Sequence, residues 1–582
     1  MNEITRTVMS GEVSLAVTER GETDLPTVVL VHGYPDTSGV WDEVAELLAN
    51  RFHVVTYDVR GAGASDRPWR RKHYRLEVLA DDLRAVADAV SPNSPVHVVA
   101  HDWGSIQSWE AITDPGAEQR FSSYTSISGP SIDHVGHWFR ARLGLRPKGL
   151  GEVARQVVKS WYIAMFQLPR LAPLGWRLGV ASSFGPGIEK LERLPHRDGY
   201  PSKTLARDGA RGVQLYRANM IRRLRHPQER HTTVPVQVLI PVKDRYVSPQ
   251  LMDHLAQWTD RLWVRRVQTG HWLPRKAPHV VSNAVSELID HLDGAPESRA
   301  LRRHRVTGST GKEFANQLVV VTGAGSGIGR ETALAFAERG AEIVIADLDE
   351  AGADRTAVLV GALESSASTY VVDVSDVAAM EEFAKHVIDE HGVPDIVINN
   401  AGIGIAGPFL DTSAADWEKI VGINLLGVVH GCRLFGTAMA DRYEGGHIVN
   451  VASAAAFTPS RTLAAYAATK AAVLMLSESL GAELADRGIG VSAICPGIIN
   501  TPITRATRYV GVSDAEQEQR RRKMSKNYAR RNFGPEKVAS AIVKAVRHNT
   551  PVVPVAPEAV GARLLSRVSP AAMRRLARMD PL

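Results

Sequence analysis

Residues 98–109 read VVAHDWGSIQSW, an apolar run that turns sharply at residues 100–104 into a helix-like stretch. A strand, a tight turn and a helix in this order are typical of an elbow that presents a catalytic nucleophile. Such elbows usually carry serine, whereas Asp102 stands at the tip of this one. An aspartate can attack an electrophilic carbon and form an ester, whose hydrolysis then requires a base, an orienting acid and an oxyanion hole.

The base and the acid follow in the same half of the chain. Asp244, in PVKDRYVSP, comes just after one predicted strand, and His271, in TGHWLP, comes after the next. The sequence becomes rich in tryptophan and arginine at helical spacing over about residues 131–231, which predicts a helical cap inserted into an α/β core. Short β-branched runs bounded by turn residues predict buried parallel strands at residues 27–32, 53–57, 96–100 and 235–240.

Three motifs in this half resemble those of the epoxide hydrolase branch of the α/β-hydrolase family. They are HGYP at 32–35, RGAGASDRP at 60–68 and AHDWGS at 100–105. The resemblance covers residues 1–293. It implies that Asp102 is the nucleophile and that Asp244 and His271 form the charge relay.

The same resemblance implies which groups stabilise the developing charge. The backbone N–H groups of Tyr34 and Trp103 would form the oxyanion hole. Opening an epoxide leaves an alkoxide that needs a proton donor, and a phenol with a pKa of about 10 stays protonated at neutral pH. Tyr162, in SWYIAMFQLP, and Tyr216, in GVQLYRANM, occupy the places where epoxide hydrolases keep their ring-opening tyrosine pair.

Two other functions for this half stay open at the level of sequence. Haloalkane dehalogenases share the HDW elbow, but they bind halide through tryptophan or asparagine donors and not through two phenols. Alternatively, the first half binds lipid without catalysis. Taken singly, Asp244, His271 and Tyr162 are also common as turn, core or structural residues, so the catalytic interpretation depends on their order and joint context.

The second half begins with a glycine-rich loop, TGAGSGIG at residues 322–329, which follows a predicted strand and opens a helix. Gly323, Gly327 and Gly329 would let the backbone approach a pyrophosphate at the helix N-terminus. Alternating strands and helices predict a doubly wound, Rossmann-type parallel sheet. The predicted strands are residues 318–322, 342–347, 369–374, 395–400, 447–453 and 491–497.

The glycine spacing GxxxGxG resembles that of the short-chain dehydrogenase/reductase (SDR) family, and this resemblance covers about residues 318–560. Further SDR motifs are NNAG at 399–402, Asn424 in GINLLG, Ser453 in HIVNVAS and YAATK at 466–470. The resemblance implies that Ser453 binds the substrate oxygen, that Lys470 also holds the ribose, and that Asn424 supports a proton-relay water.

Tyr466 is the predicted general acid and base of this half. Tyr466 and Lys470 are four residues apart, so they share one face of a helix. We therefore expect the ammonium of Lys470 to lower the pKa of the phenol.

The charge at the end of the second strand favours NAD over NADP. Asp347, in VIADLDE, stands where an acidic side chain binds the ribose 2′-hydroxyl and repels a 2′-phosphate. By resemblance, Asp373 and Val374 contact the adenine, and Thr501 in PGIINT binds the carboxamide. The remaining predicted cofactor-binding residues are Ile328, Asn400, Ala401 and Gly402.

The 582 residues exceed what one hydrophobic core usually supports, so two domains are expected. The predicted hydrolase domain is 1–293, and the SDR domain is 318–560. Residues 294–317 are polar and basic and predict a linker. Residues 561–582 predict a basic amphipathic tail that Pro570 divides, since proline interrupts helices. This layout is similar to the actinobacterial EphD-type fusions, in which an epoxide-hydrolase-like domain precedes an SDR domain.

Composition limits the partners. Net charge is +6, but the basic clusters lack the interleaved aromatic residues that nucleic acid binding requires, so no nucleic acid partner is expected. Two distant cysteines and no apolar run of the length of a membrane span favour a cytoplasmic protein without a metal site. Peripheral contact of the tail with anionic lipid remains an alternative, and SDR relatives suggest a homo-oligomer.

Taken together, the sequence predicts a bifunctional enzyme. One half would hydrolyse an epoxide to a vicinal diol, and the other would oxidise or reduce an alcohol or ketone with NAD, on lipid-like substrates. The competing hypotheses are an SDR oxidoreductase with a non-catalytic first domain and a chain with a dehalogenase-like first domain.

Overall fold

The computed structural model describes residues 3–143, 147–307 and 311–578. The chain divides into two compact units, Met1–Gly308 and Ser309–Leu582. The division falls inside the predicted linker.

An eight-stranded sheet forms the centre of the first unit, in the order β1-β2-β4-β3-β5-β6-β7-β8. Strands β3 to β8 run parallel, while β1 and β2 form an antiparallel hairpin at one edge. Val29 of β3 pairs with Val55 of β4 and Val98 of β5, which places three aliphatic side chains on the same face of the sheet. The strands are β1 Glu3–Ser10, β2 Val13–Arg20, β3 Thr27–Val31, β4 His53–Tyr57, β5 Val96–His101, β6 Phe121–Ile127, β7 Val236–Pro241 and β8 Leu262–Val267.

Helices cover both faces of this sheet and form the cap. The cap helices α4 to α9 come between β6 and β7, as predicted for residues 131–231. A π-helical stretch, Trp176–Val180, joins α7 to α8. The helices of this unit are α1 Asp42–Leu48, α2 Leu76–Val90, α3 Trp103–Ile112, α4 Ile132–Leu143, α5 Pro147–Lys159, α6 Trp161–Phe166, α7 Leu171–Gly175, α8 Ala181–Glu192, α9 Leu205–Arg225, α10 Leu273–Lys276, α11 Pro278–Leu292 and α12 Arg299–His304.

The predicted linker begins with structure that belongs to the first unit. Helix α12 buries Leu301 completely against Trp263 of β8 and Leu288 of α11. Arg305 then forms a bridge to Trp263. The polar composition of residues 294–317 concealed this helix because only one of its side chains enters the core.

A seven-stranded parallel sheet forms the centre of the second unit, in the order β11-β10-β9-β12-β14-β15-β17. This confirms the predicted doubly wound sheet. Two-residue strands β13 and β16 pair separately. The strands are β9 Leu318–Thr322, β10 Glu342–Asp347, β11 Ala367–Val371, β12 Ile396–Asn399, β13 Ile405–Ala406, β14 Gly446–Val451, β15 Ile489–Pro496, β16 Arg508–Tyr509 and β17 Val552–Val555.

Helices pack on both faces of the second sheet, where two apolar clusters form the core. Pro570 divides the tail between α22 and α23, as predicted. The helices are α13 Gly327–Ala337, α14 Glu350–Gly361, α15 Val377–His391, α16 Ala414–Val421, α17 Gly427–Arg442, α18 Ala464–Leu484, α19 Ile503–Ala506, α20 Asp514–Arg531, α21 Pro535–His548, α22 Pro557–Val568 and α23 Pro570–Leu576.

The helical stretch Ala414–Arg442 is long and apolar enough to cross a membrane by length and composition. It consists of α16, a π-helical stretch at Gly422–Leu426, and α17. Phe435 and Met439 of α17 are fully buried in the core beside the sheet. Its apolar character is therefore accounted for by packing within the second unit.

Candidate active sites

Asp102 lies at a sharp turn between β5 and α3, with φ of 52° and ψ of −124°. A non-glycine residue in such a region stores about 1–3 kcal/mol of strain, so the surrounding packing must impose it. Two glycines allow that packing. A Cβ on Gly104 would lie 2.3 Å from the carbonyl oxygen of Val31, and one on Gly129 would lie 2.2 Å from that of Asp102.

His271 joins the two carboxylates of the first unit. Its Nδ1 lies 2.8 Å from Oδ2 of Asp244, and its Nε2 lies 3.5 Å from Oδ2 of Asp102. Oδ1 of Asp244 accepts hydrogen bonds from the backbone N–H groups of Tyr246, at 2.7 Å, and Val247, at 2.9 Å. The acid is thus fixed by the loop after β7, and the imidazole is oriented between acid and nucleophile.

The pKa values follow from this arrangement. Burial disfavours the imidazolium, but Asp244 and Asp102 outweigh burial and hold the pKa of His271 well above its ordinary value. Burial works against the charged form of Asp244 too, yet His271 and the two backbone N–H groups lower the pKa of this carboxyl. His271 is therefore a stronger base than a free histidine while both carboxylates are charged.

The predicted oxyanion donors lie beside the nucleophile. The backbone N–H of Tyr34 donates to Oδ1 of Asp102 at 2.8 Å. Trp103 is the first residue of α3, and first-turn N–H groups of a helix have no intrahelical acceptor. The phenol of Tyr34 donates to the carbonyl of Gly209 in α9 at 2.8 Å, which ties the loop after β3 to the cap.

The two predicted ring-opening phenols come together under the cap. The ring centroids of Tyr162, on α6, and Tyr216, on α9, are 6.0 Å apart, and the ring of Tyr216 also contacts those of Trp103 and Tyr34. Burial raises the pKa of both phenols, and the charge of Asp102 raises each further. Both therefore remain protonated at neutral pH beside the nucleophile.

Four further residues at this site were not predicted. Tyr246 and Trp272 pack their rings 4.9 and 4.8 Å from that of His271, and burial raises the pKa of Tyr246 to about 12. His101 binds the carbonyl of His271 through Nε2 at 2.9 Å, and burial lowers its pKa to about 4. Burial raises the pKa of Glu192, the last residue of α8, against the opposing charge of His271.

Some of these residues had a signal in the sequence and one did not. Tyr246 and Trp272 stand within the quoted motifs of Asp244 and His271, and His101 immediately precedes Asp102. Glu192 belongs to a cap helix with no motif, so only the tertiary structure brings it to the site.

In the second unit, the glycine-rich loop leaves space for a dinucleotide. Gly323 and Gly327 have φ of +66° and +54°, a region that favours glycine. A Cβ on Gly329 would lie 2.1 Å from the carbonyl oxygen of Gly323, so no side chain can stand there. The loop opens α13 and borders a cavity of about 600 Å³.

Most of the predicted cofactor-binding residues line this cavity. Asp347 stands at the end of β10, where its carboxylate accepts from the backbone N–H groups of Gly325 at 2.7 Å and Asp349 at 2.9 Å. Of the predicted residues, Gly329 and Asn424 do not line it. Those that do are Gly323, Gly327, Ile328, Asp347, Asp373, Val374, Asn400, Ala401, Gly402, Tyr466, Lys470 and Thr501, together with Ser453. The residues present therefore fit a nicotinamide dinucleotide.

The predicted catalytic groups of this unit converge at the same cavity. Nζ of Lys470 donates to the carbonyl of Val451 at 2.9 Å and lies 5.9 Å from the ring centroid of Tyr466. Asn424 lies in the π-helical stretch, where its side chain holds both the N–H and the carbonyl of Ile403, at 2.8 and 3.0 Å. The amide therefore fixes the backbone at Ile403, a residue that lines the cavity.

The expected electrostatic effect of Lys470 on Tyr466 was wrong for this structure. Burial raises the pKa of Tyr466, and only a hydrogen bond with Ser453 acts in the lowering direction. Burial also lowers the pKa of Lys470 to about 8. Burial therefore shifts the pKa of each group in the direction that favours its uncharged form.

Helix α20 adds side chains that sequence reasoning did not single out. Met524 and Tyr528 of α20 line the cavity, and burial raises the pKa of Tyr528 to about 12. Glu558, at the start of α22, accepts from the backbone N–H of Ile498 at 2.6 Å and forms an ion pair with Arg531. The charged helix α20 thus contributes to one wall of the pocket.

Comparison with known proteins agrees with the two folds. Residues 26–276 match the alpha/beta hydrolase fold family, and residues 317–509 match the short chain dehydrogenase family. The chain is 46% identical over 575 residues to "Probable oxidoreductase EphD" of Mycobacterium tuberculosis, with 97% of each chain covered. The chain belongs to the EphD family. The predicted resemblance and fold class are confirmed, and the EphD-family chain is an oxidoreductase in which an α/β-hydrolase domain precedes an SDR domain.

Other relatives match a shorter part of the chain. "3beta-hydroxysteroid dehydrogenase 1" of Eggerthella lenta is 37% identical over 192 residues, which cover 33% of this chain and 74% of that protein. A crystal structure of an SDR from Burkholderia phymatum in complex with NAD is 30% identical, covers 46% of this chain and 99% of its own, and has a TM-score of 0.42.

Proposed function

We propose that this chain is a bifunctional enzyme that hydrolyses epoxides in its first domain and interconverts alcohols and ketones with NAD in its second. The observation that carries the first activity is the convergence on Asp102 of a histidine-acid pair and two buried phenols. A carboxylate nucleophile and a neutral proton donor on opposite sides of a small electrophile are what ring opening requires.

In the first step, a carboxylate oxygen of Asp102 attacks a ring carbon. The carbon–oxygen bond of the ring breaks, and its electron pair goes to the ring oxygen, which takes a proton from Tyr162 or Tyr216. The products of this step are a hydroxyalkyl ester of Asp102 and a phenolate. Burial raises the pKa of both phenols, so the phenolate is a strong base that readily regains its proton.

In the second step, His271 takes a proton from water, and the oxygen of that water attacks the ester carbonyl carbon. The N–H groups of Tyr34 and Trp103 stabilise the resulting oxyanion. As it collapses, the ester bond to the alkyl oxygen breaks and the hydroxyl proton of the intermediate passes to the leaving alkoxide, which gives the vicinal diol and the Asp102 carboxylate. The proton on His271 returns through solvent to the phenolate. Esterification removes the charge of Asp102, so only Asp244 still raises the pKa of His271 in this step.

Trapping the ester tests this proposal. In His271→Gln the first step remains possible and the second is blocked, so the intact mass should increase by the mass of the epoxide supplied. A fatty epoxide and a styrene-type epoxide would serve as probes. Asp102→Asn should gain no such mass, and a labelled peptide that excludes Asp102 would contradict the assignment.

The two competing functions of the first domain give different outcomes. A dehalogenase would release halide from haloalkanes, and this release would survive Tyr162→Phe combined with Tyr216→Phe. A non-catalytic lipid-binding domain would leave every activity unchanged in Asp102→Asn. The buried phenol pair favours epoxide hydrolysis over both alternatives because neither has a use for a neutral proton donor at that point.

In the second domain, Tyr466 gives or takes the hydroxyl proton while Ser453 binds the substrate oxygen. The nicotinamide ring, when bound, supplies or accepts the hydride. Lys470 would bind the ribose, and its side chain is held in place by the carbonyl of Val451. The arrangement supports alcohol–ketone interconversion, because the proton is exchanged at the oxygen and the hydride at the carbon of the same carbon–oxygen bond.

Asp347 supports NAD as the preferred cofactor. Its carboxylate is fixed at the end of β10 by two backbone N–H groups, where a 2′-phosphate would meet negative charge. Asp347→Ala should therefore lower the ratio of kcat/KM for NAD to that for NADP by tenfold or more. An unchanged ratio would contradict this role.

We further propose that the substrates are lipid-like and that the protein is cytoplasmic with peripheral contact at a membrane. A diol produced by the first reaction is an alcohol that the second can oxidise to a hydroxyketone. Helix α22 supports the lipid contact, since Val560, Leu564 and Val568 lie exposed on one face. Vesicle binding that persists after these three residues are changed to glutamine would exclude the tail as the only contact.

A further inference from the structure

The outer surface of the cap exposes large apolar side chains over residues 149–192. Trp161 is 67% exposed, Leu171 65% and Leu178 75%. Monomeric proteins rarely expose contiguous apolar patches of more than a few hundred Å², and larger patches mark interaction sites. The outer cap surface, as we call this set, consists of Leu150, Val157, Val158, Trp161, Met165, Leu168, Leu171, Leu174, Leu178, Val180 and Leu191.

These residues recur at helical spacing, so they form stripes. Val157 lies near the end of α5, Trp161 and Met165 are four residues apart in α6, and Leu168 follows that helix. A second stripe, Leu171, Leu174 and Leu178, begins in α7. Intervals of three and four place side chains on one face of a helix.

The same helices already have a buried apolar face. Phe166, Ala172 and Trp176 pack in the core cluster that contains Tyr34 and Tyr216. The exposed stripes are therefore additional to the face that holds the cap on its domain. The inner residues pack in the core of the cap, whereas the outer residues are exposed.

Charge on this surface has one sign. Arg155, Arg170, Arg177 and Lys190 are exposed. The acidic side chains of residues 149–192 are only partly exposed and have other neighbours. Glu152 pairs with Arg142, Glu189 with His196, and Glu192 lies near His271.

We propose that the outer cap surface docks onto an anionic lipid bilayer. Apolar side chains at helical spacing with basic residues among them are what peripheral membrane helices use, the apolar groups entering the acyl region and the basic groups binding lipid phosphates. The proposal holds whether or not Asp102 is a nucleophile, because it depends only on this surface. It is also independent of the tail, which belongs to the other unit.

Docking there would place the bilayer against the helix that carries a catalytic group. Trp161, on the outer surface, is adjacent in sequence to Tyr162, which reaches the nucleophile from the inner side of α6. A lipid substrate and the ring-opening phenol would then approach the same six-residue helix from its two faces.

Vesicle co-sedimentation of the full chain tests the proposal. Trp161→Gln, Leu171→Gln and Leu178→Gln are combined, and vesicles of phosphatidylcholine and phosphatidylglycerol in equal amounts are compared with pure phosphatidylcholine. We expect the triple variant to bind the anionic vesicles at least about tenfold more weakly than the wild type, since it loses three apolar insertions. Arg155→Gln, Arg170→Gln and Arg177→Gln together should remove the preference for phosphatidylglycerol.

A matched control lies in the same unit. Ile4, Met9 and Leu47 are exposed apolar residues outside the cap, so changing them to glutamine should leave vesicle binding as it is. The proposal would be overturned if the control variant lost as much vesicle binding as the cap variant. It would also be overturned if the cap variant bound vesicles as tightly as the wild type. A cap that proves to be a self-association surface, seen as dimers that the cap variant dissociates and no vesicle binding by either protein, would overturn it too.

A second measurement reports the docked residue directly. Both native cysteines, Cys432 and Cys495, are buried, so Leu178→Cys can be labelled selectively with a polarity-sensitive fluorophore. Its emission should shift to the blue when anionic vesicles are added, while the same fluorophore at Met9→Cys should not respond. An unchanged spectrum at Leu178→Cys would contradict insertion of the cap.

Discussion

At the scale of single residues, the first domain places a charged carboxylate beside two uncharged phenols. Asp102 stands at a strained turn, while burial and the charge of Asp102 raise the pKa of Tyr162 and Tyr216 and keep both phenols neutral. His271 is hydrogen-bonded to Asp244 and is the proposed base of the second step. The charge of Asp102 therefore raises the pKa of the two phenols and of the imidazole.

Replacing the phenols should slow ring opening and leave ester hydrolysis alone. Tyr162→Phe or Tyr216→Phe removes one of two proton donors, whereas the double variant removes both, and loss of general acid catalysis costs about 100-fold or more. The rate of ester formation in a single turnover measures the first step. Equal rates for the double variant and the wild type would contradict the assigned role.

Lys470 should make the stability of the second domain depend on pH. Burial lowers its pKa to about 8, whereas in an unfolded chain it is about 10.4. Between these values the unfolded chain binds more protons, so the free energy of unfolding rises with pH. Below about pH 8 the full penalty of burying the ammonium applies, at most roughly 3 kcal/mol.

Lys470→Met removes this penalty and should therefore be more stable than the wild type at neutral pH. The difference should shrink as pH rises toward about 10, where the wild-type lysine is neutral in the folded state. Urea denaturation at a series of pH values measures it. A difference that stays constant or grows with pH would contradict the buried ammonium.

At the scale of elements, local geometry decides where the nucleophile stands. Gly104→Ala would bring a Cβ within 2.3 Å of the carbonyl oxygen of Val31, so we expect a loss of about 1–3 kcal/mol or more, with loss of hydrolysis. Gly151→Ala is the control, because a Cβ there meets nothing within 4 Å and a helix prefers alanine by about 0.5–1 kcal/mol. Thermal unfolding measures the stability of both variants. Equal changes in stability would argue against tight packing of the turn at Asp102 around Gly104.

Most of the strands that the sequence predicted are continuously buried, although β11 is not. Strands such as β3 and β9 are runs of aliphatic residues that bury both faces. β6 was missed because serine and threonine interrupt it; Ser123 and Ser126 are buried through hydrogen bonds to His97 and Ser105. β17 was missed because a proline stands within it, at the edge of the sheet.

The predicted site residues were those that belong to local motifs, and the missed ones come from distant elements. Asp244 and His271 stand in short stretches whose neighbours orient them, so spacing was informative. Glu192 and Tyr528 reach the sites from helices without a motif, and only packing of the cap and of α20 brings them there. The pKa of Tyr466 is raised by burial and not lowered as expected, because sequence shows the spacing of charged groups but not their desolvation.

At the scale of the whole molecule, one chain carries two units with separate cores and separate candidate sites. Asp102→Asn should abolish epoxide hydrolysis but leave oxidation of an added diol by NAD unchanged. Tyr466→Phe should do the reverse. Assays of diol formation and of NADH absorbance on the two variants separate the activities, and loss of both in either variant would contradict independent sites.

The central claim is that Asp102 forms a covalent ester whose carbonyl carbon is attacked by water. A single turnover with excess enzyme, in water enriched in heavy oxygen, tests it most directly. The account predicts heavy oxygen in the peptide that contains Asp102 and ordinary oxygen in the diol, because the diol takes its new oxygen from the carboxylate. Heavy oxygen in the diol, with none in that peptide, would show direct attack by water and contradict the account.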